Sequence, residues 1–229
     1  MGNDIQELLD EAEKAVARIE ASLVDRLDPA SLSVRAKIPF KVVAFSEALL
    51  WRSADLGRVS LSLFKAEEGM PACIIARSLI ECGALFWYVA GLVRSAIKLK
   101  TVNVIDEKIR QLLLGSRDRT TEVAALNVVT VIEKIGREHS FFKEQYEALC
   151  EIAHPNWIGV SGLFSKIDGK NIWVDFAKYR RCSDDIKDYG LCSLNSALYF
   201  VATHHREISD LMPEFVALCE QCLSDGEGV

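Results

Sequence analysis

Arg77 and Glu81 are the only charged residues in the stretch Met70–Val93, MPACIIARSLIECGALFWYVAGLV. Being four apart, they fall on one helical face and can pair. The apolar residues around them predict that both are largely buried. A buried charge without a partner is strongly destabilising, whereas a paired one roughly breaks even. The pair therefore serves structural specificity or a site, and a site needs a third polar group. His154 fits that place. It stands at the end of a predicted helix, where the macrodipole favours its charged form, and imidazole can act as a general acid or base near neutral pH. The alternative is a capping histidine bonded to the last carbonyls of that helix. Asn156 follows just beyond Pro155 and completes the candidate set of Arg77, Glu81, His154 and Asn156.

Other reactive residues carry less. Cys150 and His154 are four apart and can face each other as nucleophile and base, yet no residue stands ready to orient them. Cys219 and Cys222 form a lone CxxC. Zinc would need a second pair or suitably spaced histidines, so plain core thiols are expected. His139 sits near a helix start, and the adjacent His204 and His205 point to different faces. GxGxxG, GxxxxGK[ST], GxSxG and HExxH do not occur, so nucleotide cradles, hydrolase elbows and zincin sites lack support. No metal and no cofactor is expected.

These residues need a scaffold. The chain has 229 residues, half of them hydrophobic, enough to bury a large core without disulfides. Its net charge of −6 gives no global attraction to nucleic acid. The charge is uneven, however, because residues 91–120 carry an excess of Arg and Lys while both ends are acidic. That basic stretch is either a local face for a ligand or simply a solvated helix surface. The opening residues MGNDIQELLDEAEKA are acidic and do not read as a secretory signal. Gln6 occupies the position where a myristoylation motif centred on Gly2 needs Ser or Thr. Seven cysteines, an odd number, favour reduced thiols and a cytoplasmic location. The most apolar run, Cys82–Val93, is shorter than the roughly 20 residues that cross a bilayer, so it predicts a buried core helix and no membrane.

Periodicity predicts an all-α fold of seven or eight helices with one small β-hairpin after residue 160. Residues 1–229 read as a single helical domain with no internal repeat. A heptad helix is expected over 4–27, from Ile5, Leu9, Ala12, Val16, Ile19 and Leu23. Its seam can pack within the fold or join two subunits. Asp28-Pro29 ends it. A core bundle spans 39–154: a helix from Pro39 to Ala66, one from Pro71 to Ala96, then 103–114, 121–136 and 138–153. An insertion over 155–190 holds LFSKIDGKNIWVDF, a hairpin turning at Asp168-Gly169. Closing helices are expected over 191–223, at about 191–209 and 213–223, the second opened by Pro213.

The segments ARSLIECGALFWYVAGL, residues 76–92, and YEALCEIAHPNWIGVSGLF, residues 146–164, carry a resemblance. They look like a group of bacterial helical proteins in which an Arg-x-x-x-Glu helix is followed by a helix ending in His-Pro. That group resembles the HEPN superfamily, whose members include RNA-cleaving toxins and defence proteins. The similarity covers residues 40–165. It implies a metal-independent site in which Arg77 holds a phosphate and His154 moves the proton of an attacking 2′-hydroxyl. The chain departs from the family at one point. Its ribonucleases carry Arg, four to six residues, then His, and the matching positions here are Glu147, Ala148 and Leu149. Two expectations follow: an RNA-cleaving or RNA-binding protein with Arg77 replacing the missing arginine in space, or a non-catalytic scaffold. The scaffold would dimerise through its helices or bind a protein partner, using the heptad seam or the 155–190 insertion.

Overall fold

A computed structural model describes residues 5–118, 120–179 and 183–225. Gly2, Arg119, Cys182 and the expected helix start at residue 4 lie outside them. Among the described residues the chain forms eight α-helices, one π-helical turn and one two-stranded hairpin. The all-α architecture with a small hairpin is as the periodicity predicts.

The helices are α1 (Ile5–Ala21), α2 (Pro29–Leu32), α3 (Ile38–Lys65), α4 (Gly69–Leu99), α5 (Asn103–Leu114), α6 (Val128–Ile135), α7 (Ser140–Ala153) and α8 (Ser183–Ser224). Helices α4 and α8 lie along each other at the centre, with α3 and α1 on one side and α6 and α7 on the other. Glycine makes that closeness affordable at two crossings. A Cβ on Gly57 would stand 3.0 Å from Leu198 and 3.3 Å from Val16, and one on Gly83 would stand 3.2 Å from Phe200.

The heptad seam packs inside the fold. Leu8, Leu9, Ala12, Val16 and Ile19 are buried against α3 and α8. Helix α1 stops at Ala21, earlier than the predicted residue 27. There the Ser22 hydroxyl bonds the Ile19 carbonyl, and the Trp51 indole N–H donates to the Val24 carbonyl at 3.0 Å, holding the chain in its turn. Helix α4 runs 31 residues, well beyond the apolar run read from the sequence. Its length and composition would suit a membrane span, yet 61% of its most apolar window is buried inside the bundle, the mark of a core helix.

Two boundaries differ from expectation for local reasons. The helix expected over 121–136 begins only at Val128, because the Asn127 side chain accepts the Val129 N–H and caps it there. The two expected closing helices are one, α8, with Pro213 inside it. Proline removes one helical hydrogen bond and crowds the preceding turn. Buried Ile208, Met212, Phe215 and Cys219 on either side hold the helix together across it. Because α8 starts at Ser183, the non-helical insertion is shorter than residues 155–190.

That insertion contains the π-helical turn Trp157–Gly162 and the strands β1 (Ser165–Asp168) and β2 (Trp173–Phe176). The strands are antiparallel, pairing Ser165 with Phe176, Ile167 with Val174 and Asp168 with Trp173. The connection spans four residues rather than turning at Asp168-Gly169 alone. The Asp168 carboxylate accepts the Lys170 N–H at 2.9 Å and the Asn171 amide at 2.7 Å, and Ile172 takes a left-handed φ of 57°.

Candidate functional site

The charged pair read from the sequence acquires two partners on the facing helix. Arg77 and Glu81 project from α4 toward Tyr146 and Cys150 on α7, each pair one turn apart. The Arg77 Nε donates to Cys150 Sγ at 3.0 Å and its Nη2 to the Tyr146 hydroxyl at 2.9 Å. That hydroxyl donates to Glu81 Oε1 at 3.1 Å, which also lies 3.3 Å from Arg77 Nη2. The guanidinium carbon stands 5.0 Å from the centre of the Tyr146 ring. The pair is half-buried rather than sealed, with side-chain exposures of 28% and 25%. Solvent at the edge offsets part of the desolvation cost that full burial would impose.

Electrostatics fix the protons in this cluster. Burial pushes the Tyr146 hydroxyl up to about 12, with the Glu81 charge adding to the effect. Tyr146 is therefore a neutral donor at physiological pH. Burial works against the charge on Arg77, but its bonds to Cys150 and Tyr146 outweigh that and raise its pKa further. The cluster is a hydrogen-bonded clasp between α4 and α7. The Nε and Nη2 donors of Arg77 are spent on protein atoms.

His154 and Asn156 do not join the clasp. His154 follows α7 in extended geometry, with its backbone N–H on the Cys150 carbonyl, while its imidazole is exposed and makes no hydrogen bond among the described residues. Asn156 caps the π-helical turn, accepting the Gly159 N–H at 3.0 Å on Oδ1 and donating from Nδ2 to Glu151. The turn is tight. A Cβ at Gly159 would lie 2.1 Å from the His154 carbonyl oxygen. The four predicted residues thus divide into a clasp, Arg77 with Glu81, and a cap, Asn156, with His154 in solvent between them.

The basic stretch lies elsewhere. Arg94 and Lys98 share a groove with Trp87 and Lys134, about 25 Å along α4 from Arg77 at the helical rise per residue. Arg94 is held by Glu207 at 2.6 Å. The CxxC cysteines are core residues of α8, and burial pushes Cys219 up to about 12.

Sequence reasoning missed two features. The first is a pair between α3 and α8, where His205 Nε2 meets Glu47 Oε1 at 3.0 Å beside a 210 Å³ cavity. Neighbouring His204 turns to Glu207 instead, at 2.8 Å. The second is larger. Ile167, Val174 and Phe176 share one face of the hairpin, by the strand register, and are 63%, 46% and 78% exposed. Trp173 on the other face, with Trp157, Ile158 and Val160 on the π-helical turn, is exposed as well. Alongside runs a cleft of about 500 Å³ between α7, the π-helical turn and α8, walled by Ala148, Ile152, Ile158, Leu163, Ile186 and Tyr189. Two contacts pin the hairpin at its base. The Tyr179 hydroxyl accepts the Met70 N–H at 3.1 Å, and Lys178 pairs with Glu68 at 2.5 Å.

Comparison with protein-family models, curated proteins and solved structures finds no match.

The arrangement must therefore be read from its own chemistry. Monomeric proteins rarely leave contiguous apolar patches of more than a few hundred Å² in water. A two-stranded hairpin is marginal by itself and needs its apolar face covered. Here that face is bare.

Proposed function

We propose that this chain is a non-catalytic helical scaffold, HEPN-like in its helices, that acts by docking a protein partner on the hairpin and the adjoining cleft. The observation that carries this reading is the uncovered face of Ile167, Val174 and Phe176 on a hairpin anchored at its base. The RNA-cleaving alternative, through Arg77, Glu81 and His154, has less support. The arginine is engaged by Tyr146, Cys150 and Glu81, and the basic groove is remote from it.

The test is the size of the particle that carries the chain in a gentle cell extract. The wild type should migrate well above its 25.5 kDa, and Phe176→Asp should migrate as the monomer with unchanged helical circular dichroism. A wild-type chain that migrates as a monomer would refute docking. In parallel, labelled RNA incubated in EDTA should stay intact with both the wild type and His154→Ala. Cleavage that disappears in the variant would favour the ribonuclease.

A further inference from the structure

We infer that the occupant of this face is a second copy of the chain, each hairpin seated in the other's cleft. The inference rests on the docking reading and names the partner.

Two observations support it. The first is that projection and receptor lie side by side on one face of one chain. The cleft walls come from α7, the π-helical turn and α8, and no residue of β1 or β2 lines them, so the hairpin leaves its own cleft empty. A two-fold axis beside the insertion lets both copies satisfy both surfaces at once, the self-complementary contact of a closed dimer. A partner of any other shape would have to supply both a projection and a hollow.

The second observation is size. Trp157, Ile158, Val160, Ile167, Ile172, Val174 and Phe176 are exposed around the insertion, and Trp173 is exposed on the hairpin's other face. From the area such side chains bury, they present about 800 Å², the share that each partner contributes to a standard stable interface.

The test uses the full purified chain in sedimentation equilibrium at micromolar concentration. The wild type should have twice 25.5 kDa. Phe176→Asp damages only the hairpin and Ile158→Asp only the cleft, and each alone should be monomeric. Mixed in equal amounts, they should recover dimers, because one intact hairpin then meets one intact cleft. Circular dichroism and thermal melting of each variant confirm that both fold, since both positions are at least partly exposed. A monomeric wild type overturns the second copy. It leaves docking standing if the extract particle is large and Phe176→Asp reduces it. Variants that stay dimeric overturn this face as the interface, and monomeric variants that fail to recover on mixing overturn the hairpin-in-cleft arrangement.

Discussion

At the scale of residues, the clasp between α4 and α7 is the best-defined polar feature of the chain. Tyr146 is its hub, accepting from Arg77 and donating to Glu81. Tyr146→Phe should lower unfolding free energy by about 1 kcal/mol, the usual net worth of such a bond, read from the urea midpoint at unchanged slope. No loss would mean that the Arg77–Glu81 pair suffices alone. The pH dependence follows from the raised tyrosine. Its proton is held more tightly in the folded state, so the associated stability is complete below about pH 10 and falls as pH rises toward about 12. Tyr146→Phe should flatten that alkaline decline, measured by urea midpoints across the range. Gly159 makes a sharper prediction. Its absent Cβ leaves room for the His154 carbonyl, so Gly159→Ala should cost about 3 kcal/mol by overpacking. A chemical-denaturation midpoint equal to the wild type's would contradict the tight turn.

At the scale of elements, the helices were largely legible, because their apolar residues recur at helical spacing through α1, α3, α4 and α7. The departures came from single groups acting against periodicity: the Asn127 side chain that starts α6 late, and Pro213, which α8 absorbs. Pro213 is exposed, so Pro213→Ala removes no packing and restores a backbone donor. It should stabilise the protein by about 1–3 kcal/mol, seen as a rise in melting temperature. A fall would show that the helix needs the bend. The site was legible in part. Arg77 and Glu81 stood out as the only charges in an apolar helix. Their partners Tyr146 and Cys150 share the one-turn spacing on α7, but nothing in the sequence says which helix faces which. Glu47 and His205, 158 positions apart, could not be joined without the fold.

At the scale of the whole molecule, the chain combines a well-packed bundle with one surface that water does not suit. The bundle accounts for the buried aromatic and aliphatic side chains along α3, α4 and α8. It does not account for Trp173 and Phe176, which stand 72% and 78% exposed on a hairpin. The sequence showed the hairpin by its alternation and its Asp-Gly turn, but alternation cannot tell a face that meets the protein's own core from one that meets another chain.

The most direct measurement is to place a benzophenone amino acid at position 176, on the exposed face of the hairpin, and illuminate the cells that express the chain, with the exposed position 210 as control. Docking on that face predicts one discrete adduct from position 176 and none from position 210. Monomer alone from both positions, or the same adducts from both, would contradict it.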